Sequence, residues 1–143
     1  MNDNFIREAL ERLEAEIDPV TRIRLNPERA VLDEALSAFE RRGIEPLRRS
    51  RLLAVYILLS SALERHAAPL ALEDADLTRR ILDGDYLYSL YIQYTLKCKE
   101  EPLLKAMSPF VKKIQIARAL GRTGEIRLLP VFEQVLADLR EGA

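Results

Sequence analysis

The stretch that decides the fold is Ile81–Lys97, ILDGDYLYSLYIQYTLK, which holds four of the five tyrosines of the chain. Its apolar residues point to every side of a helix rather than to one stripe. A helix that is apolar all round has to be enclosed by protein on all sides. Because a glycine inside a helix costs only about 1 kcal/mol relative to alanine, we expect this helix to run unbroken through Gly84. We also expect another backbone to pass close over Gly84.

Length and composition predict one helical domain spanning residues 1–143. A chain of 143 residues with 48% hydrophobic content can form one core and is too short for two ordinary domains. The 22 Lys and Arg residues nearly cancel the 23 Asp and Glu residues, so a nucleic-acid partner is not expected. The single cysteine, Cys98, and the absence of an apolar leader predict a cytoplasmic protein.

The apolar periodicity is helical along the whole chain, and no alternating pattern indicates a strand. The run Leu52–Leu63 falls short of the roughly 20 residues that a membrane span needs, so it predicts a buried core helix without a transmembrane segment. The resulting fold class is an all-α bundle of about six helices. The first expected helix ends before Pro19, the second runs from Asn26-Pro27 to Gly43, and the third covers Leu47–His66. The fourth runs from Leu77 to about Lys99 and the fifth from Ser108-Pro109 to Gly121. The last ends at about Arg140, with Pro130 in its first turn.

Candidates for catalytic chemistry are few. His66 and Cys98 are the only histidine and cysteine, so a zinc site would lack ligands, and no glycine-rich nucleotide motif is present. The acidic run Glu73–Asp76 lies at a helix start, where the helix dipole stabilises negative charge, and we interpret it as a cap. His66 is likewise expected to cap a helix end, and Cys98 to be a small core residue. We therefore predict no catalytic residue, no metal and no cofactor on this chain.

Two clusters remain after this search. The first is a group of arginines near the turn after the second helix: Arg41, Arg42, Arg48, Arg49 and Arg51. We favour a solvent-exposed role for them over binding of a diphosphate or a lipid surface. The second consists of the tyrosines of Ile81–Lys97, whose spacing indicates packing rather than a cofactor box. So much apolar surface on one helix is hard to cover in a small domain, which favours a partner subunit.

Two segments of the chain resemble a known family. ILDGDYLYSLYIQYTL is similar to a segment reading roughly V-L-A-G-D-Y-Y-S-x-L-Y-Y-x-L-L in the small, non-catalytic subunit of two-component polyprenyl diphosphate synthases, the heptaprenyl or hexaprenyl diphosphate synthase component I group. The directly matching residues are Ile81, Leu82, Gly84, Asp85, Tyr86, Ser89, Leu90 and Tyr91. Upstream, Ser61–His66 resembles the A-L-D-T-H segment of that group. The resemblance covers about Leu53–Lys97, and its motif residues are Gly84, Asp85 and Tyr86.

The resemblance implies half of the trans-prenyltransferase fold and a catalytic large subunit as partner in a heterodimer. Catalytic relatives hold magnesium between two aspartate-rich clusters, whereas Glu64, Arg65 and His66 stand here at the first position and Arg79-Arg80 departs from the family's arginine pair. Mg²⁺ is therefore expected on the partner, and no prenyl transfer is expected from this chain alone. In that family the small subunit helps to line the tunnel that sets product chain length, with a quinone such as menaquinone downstream.

The resemblance also suggests positions for contacts. The residues expected at the subunit interface are Tyr88, Tyr91, Ile92 and Thr95. The residues expected on the tunnel side, in contact with the isoprenoid chain, are Tyr56, Leu59 and Leu63. Two other hypotheses stay open: an unrelated all-helical adaptor that buries its tyrosine-rich helix against another protein, and a self-sufficient small enzyme that uses Glu64, His66 and Asp85.

Overall fold

The computed structural model describes residues 2–67, 73–122 and 126–141. Within these residues the chain is helical and contains no β-strand, so the predicted all-α class is confirmed. None of the described helices combines the length and apolarity that crossing a bilayer requires. The elements are α1 (Asn2–Glu16), a 3₁₀ turn (Pro19–Thr21), α2 (Arg29–Arg41), α3 (Pro46–His66), α4 (Asp74–Lys97), α5 (Glu101–Ala119) and α6 (Leu128–Glu141).

Helix α3 is the centre of the bundle. Every residue from Leu52 to Leu59 is buried, followed by Ser61, Ala62 and Leu63. Helices α1, α2 and α4 pack against it, and the ring of Tyr56 meets Phe132 of α6 with centroids 5.3 Å apart. Because neighbours surround α3, its apolar side chains can point in every direction. The prediction that Leu52–Leu63 forms a buried core helix is confirmed.

Helix α4 packs against the rest of the chain on one side, so this chain by itself does not cover it all round. It buries Gly84, Leu87, Leu90, Tyr91, Tyr94 and Thr95. On its other side Ile81 is 43% exposed, Leu82 59% and Leu96 46%. The helix that neighbouring helices surround is α3, whose apolar run is mostly aliphatic.

Glycine and proline mark the helix ends. Gly43 follows α2 with φ +69°, and Gly121 follows α5 with φ +75°. Glycine adopts this left-handed conformation without the steric cost that a Cβ atom brings. Pro46, Pro102 and Pro130 lie in the first turns of α3, α5 and α6, where the missing N–H would have no partner within the helix. The predicted positions of Gly43, Gly121 and Pro130 are correct.

Several predicted helix starts were wrong. Helix α5 begins at Glu101, and Pro109 lies inside it rather than at its start. Pro102 supplies the first-turn proline, and the left-handed Lys99, with φ +60°, turns the chain between α4 and α5. Helix α2 begins at Arg29 rather than near Asn26, and α4 begins at Asp74 rather than Leu77. Of the break expected at 67–69, residues 68–69 lie outside the described residues. Of a loop expected at 125–129, residue 125 lies outside them, 126–127 are non-helical as expected, and 128–129 belong to α6.

Candidate functional site

The two segments that carry the family resemblance meet where α3 and α4 lie side by side. The helices run antiparallel: His66 at the end of α3 bonds Asp85 in the middle of α4, with Nε2 and Oδ1 2.8 Å apart, while Arg48 in the first turn of α3 bonds Glu100 just beyond the end of α4. Gly84 lies directly under this ring. A Cβ atom at Gly84 would come within 2.4 Å of His66 Cδ2. The close neighbour of Gly84 is therefore an imidazole ring and not the backbone that the sequence led us to expect.

His66 lies in the last turn of α3, where the helix dipole favours a positive charge. Its ring nitrogen is bonded to Asp85 rather than to the carbonyl groups at the end of α3, so the expected capping role was wrong. The side chain of His66 is 25% exposed and that of Asp85 is 63% exposed. An imidazole and a carboxylate in contact at a solvent-accessible corner can exchange a proton with a bound molecule.

The third member of the enzyme hypothesis, Glu64, does not complete a metal site with these two residues. Across residues 2–67, 73–122 and 126–141, no group of three or more histidine, cysteine, aspartate or glutamate side chains could hold a metal ion. Glu64 is exposed on α3, and Asp85 is engaged by His66. This set does not fit the magnesium cluster of catalytic prenyl synthases, which needs several convergent carboxylates.

Arginines at the same corner hold the loop between α1 and α2. Arg65 donates to the Arg24 carbonyl at 3.2 Å, and Arg79 donates to the Thr21 carbonyl and to Asp83. The hydroxyl of Tyr86 accepts a hydrogen bond from the backbone N–H of Asp18 at 3.0 Å. The motif residue Tyr86 therefore fixes the start of this loop against α4.

The residues expected at the tunnel lie deep in the chain's own core. Tyr56 is 5% exposed, Leu59 0% and Leu63 1%. Burial raises the pKa of Tyr56 to about 12. Neither the surface groove over α1 nor the groove beside α5 is lined by any of the three.

The residues expected at the subunit interface divide into two pairs. Tyr91 and Thr95 face inward, where Thr95 Oγ1 donates to the Tyr91 carbonyl at 2.5 Å and burial raises the pKa of Tyr91. Tyr88 and Ile92 are half-buried and reach the surface. The sequence analysis did not single out Ile81, Leu82 and Leu96 as contact residues, although they are the exposed large apolar residues of this helix. Their helical spacing from Tyr88 and Ile92 places them on the same side of α4. We call this side the α4 outer face, which consists of Ile81, Leu82, Tyr88, Ile92 and Leu96.

Most arginines of the cluster near the second helix form contacts with other residues of the chain. Arg41 and Arg42 both reach Glu133 of α6, at 3.4 and 3.2 Å. Arg49 donates to the Ile44 carbonyl at 2.8 Å and lies over the Phe5 ring. Arg48 makes two hydrogen bonds to Glu100, at 2.7 and 2.6 Å. These contacts link helices and leave little of the cluster for a diphosphate.

Comparison of the chain with models of protein families, with curated proteins and with solved structures found no match. The family resemblance therefore rests on the residues quoted for it.

Proposed function

We propose that this chain is the non-catalytic small subunit of a two-component polyprenyl diphosphate synthase, and that it binds the catalytic subunit through the α4 outer face. The observation that carries the proposal is an apolar helix side on the same helix that holds Gly84-Asp85-Tyr86. Ile81, Leu82 and Leu96 are 43%, 59% and 46% exposed there. Exposed apolar side chains in one row favour a protein interface over a solvated surface.

The geometry of α4 supports this use of its outer face. Residues three, four and seven positions apart lie on one side of a helix, which relates Ile81 to Tyr88, Tyr88 to Ile92 and Ile92 to Leu96. Leu82 lies two seven-residue steps before Leu96. The inward side of α4 is already filled by its contact with α3. Tyrosine and large aliphatic residues are typical of interface centres, and Tyr88 adds a hydroxyl at the margin. Asp85 and Ser89, both exposed, supply polar points within this side.

The role in product length rests on the resemblance alone. Because Tyr56, Leu59 and Leu63 are covered by neighbouring helices, contact between them and an isoprenoid chain would require those helices to move on assembly. The α4 outer face needs no such movement. In this proposal the apolar side chains of α4 contribute to the wall of the elongation tunnel or to the contact beside it, and Mg²⁺ is held by the catalytic subunit.

The test combines this chain with a prenyl diphosphate synthase from the same cell that carries two aspartate-rich motifs. We expect no prenyl transfer from farnesyl diphosphate and isopentenyl diphosphate by this chain alone. Mixing the two chains should give co-elution in size-exclusion chromatography and long-chain product. Ile92→Glu and Leu96→Glu should each abolish co-elution, because a charge would be buried in an apolar contact. The matched control is Leu47→Glu, at a residue that is 84% exposed on α3.

Other outcomes identify the competing hypotheses. Loss of co-elution in Leu47→Glu as well as in the α4 variants would show that the effect is not specific to the outer face. A stable complex with an unrelated protein, and none with any prenyl synthase, would favour the adaptor. Prenyl transfer by the lone chain that Glu64→Gln abolishes would require the small-enzyme hypothesis.

A further inference from the structure

Basic charge is concentrated in α5 and the residues after it. From Pro102 to Gly124 the sequence carries five basic residues and no acidic residue, although the whole chain has a formal net charge of −1. The rest of the chain is therefore net acidic. A block of one sign within a nearly neutral protein indicates a local electrostatic role rather than a general one.

The same region exposes apolar side chains on its outer side. The inner side of α5 is formed by Met107, Val111 and Ile114, which are buried. On the opposite side Ile116 is 50% exposed and Leu120 is 62% exposed. Positions 112, 116 and 120 follow one another at four-residue steps, with 113 beside them, so the cations and the apolar residues share one side. We call this set the α5 basic surface: Lys112, Lys113, Ile116, Leu120 and Arg122.

The cations of this surface are not neutralised by the parts of the chain that the structure describes. No carboxylate there lies within ion-pair distance of Lys112, Lys113 or Arg122. Lys105, which lies seven residues before Lys112, is paired with Glu101. The ammonium group of Lys113 lies over the Phe110 ring, 5.6 Å from its centroid. Between these side chains runs a groove of about 280 Å³, lined by Lys113, Ile116, Ala117, Leu120, Arg122 and Ile126.

We propose that the α5 basic surface docks on an anionic lipid bilayer. Ile116 and Leu120 enter the interface between headgroups and acyl chains, while Lys112, Lys113 and Arg122 bind the lipid phosphates. Interfacial helices combine these two features, an apolar strip for the acyl boundary and flanking cations for the headgroups. An acidic protein partner fits less well, because lysine is depleted from protein interfaces.

The strength of the contact follows from its small size. Each cation close to an anionic membrane contributes about fivefold in affinity, and this contribution falls as salt screens the surface. Only two aliphatic side chains enter the acyl boundary. We therefore expect reversible binding that is sensitive to ionic strength. This inference rests on α5 and is independent of the partner proposed for α4.

The chain contains no tryptophan, so one introduced tryptophan reports its own surroundings without background. In Leu120→Trp we expect a blue shift and a rise in fluorescence with vesicles that contain phosphatidylserine. Salt should reverse the change, and pure phosphatidylcholine vesicles should give none. Leu47→Trp, at an 84% exposed position on α3, is the matched control and should not respond. Co-sedimentation of the unsubstituted chain with the same vesicles gives a readout that needs no substitution.

Charge reversal tests the cations. Lys112→Glu combined with Lys113→Glu should weaken vesicle binding by about 25-fold or more, because two cations are lost at about fivefold each. Arg7→Glu combined with Lys99→Glu makes the same change in net charge at exposed positions elsewhere and should keep binding within about twofold. Circular dichroism of each variant checks that the helical content is unchanged.

Four results would overturn the proposal. The first is the absence of binding to anionic vesicles, and the second is equal binding to anionic and neutral vesicles. The third is an equal loss of binding in both double variants. The fourth is a blue shift of Leu120→Trp that grows with protein concentration, or with added polyglutamate, in the absence of lipid, since this would indicate a protein partner for the surface.

Discussion

At the scale of single residues, Gly84 determines how closely the end of α3 approaches α4. Its missing side chain leaves the space that the imidazole ring of His66 occupies, and this places the ring beside Asp85. A glycine within a helix is otherwise unfavourable by about 1 kcal/mol relative to alanine. The motif Gly84-Asp85 therefore has a structural explanation within this chain: glycine admits the ring, and aspartate bonds it.

Gly84→Ala tests this explanation through its dependence on His66. With His66 present, the new Cβ atom would stand 2.4 Å from the ring, so the ring must leave Asp85. In a His66→Ala background the three atoms that come nearest to this Cβ atom are gone, and alanine should stabilise the helix by about 1 kcal/mol. We expect Gly84→Ala to be neutral or destabilising in the original chain. Urea unfolding of the four proteins of the double-mutant cycle measures the difference. An equal effect in both backgrounds would contradict the contact.

At the scale of elements, α3 and the turn between α4 and α5 are joined by Arg48 and Glu100. The pair is bidentate, with side chains only 34% and 11% exposed, and hydrogen bonding to Glu100 raises the pKa of Arg48. Planar guanidinium groups suit this geometry. This contact pins the N-terminal end of α3 to the region where the chain reverses from α4 into α5.

Arg48→Met should destabilise the protein by about 2 kcal/mol, because it leaves a mostly buried carboxylate without a partner. The comparison is Lys105→Met, which removes the cation of the pair Lys105–Glu101, whose side chains are 76% and 60% exposed. Exposed pairs contribute about 0–1 kcal/mol, so this variant should lie within about 0.5 kcal/mol of the original chain. Urea unfolding at neutral pH measures both. Adding Glu100→Gln to Arg48→Met should restore part of the loss, and further destabilisation would contradict the interpretation.

The elements also show what the sequence could predict and where it failed. The position of α3 followed from a continuous aliphatic run, Leu52–Leu63, which has no alternative to burial. The outer face of α4 could not be located in the same way, because Tyr88 and Tyr91 look alike in a helical pattern and their burial depends on how α4 is rotated against α3. Residues distant in sequence were harder still: the contact of His66 with Gly84 depends on the register of two antiparallel helices.

The fold class could be predicted from local periodicity alone, since an all-helical chain forms most of its hydrogen bonds within its elements. Proline required more context. Pro102 and Pro109 are both compatible with a helix start, and the left-handed Lys99 decides between them. The candidate site was only partly accessible, because the motif residues could be named from the resemblance while the exposed residues Ile81, Leu82 and Leu96 required the packing of α4.

At the scale of the whole molecule, three buried tyrosines link stability to alkaline pH. Burial raises the pKa of Tyr56 and of Tyr94 to about 12 and raises that of Tyr91 as well. Their ordinary pKa in an unfolded chain is about 10. Below pH 10 the tyrosines are protonated in both states and do not change the free energy of unfolding. Between pH 10 and 12 the unfolded chain loses their protons first, so stability falls as pH rises through the folded-state pKa.

The expected loss is about 1 kcal/mol at pH 11 for each buried tyrosine. Tyr56→Phe removes one of these ionisations, so its free energy of unfolding should fall by about 1 kcal/mol less between pH 9 and pH 11 than that of the original chain. Comparing the change between two pH values cancels any packing effect of the substitution at neutral pH. Parallel curves for Tyr56→Phe and the original chain would show that Tyr56 ionises as readily in the folded protein as in the unfolded one, which its burial against Phe132 makes physically unfavourable.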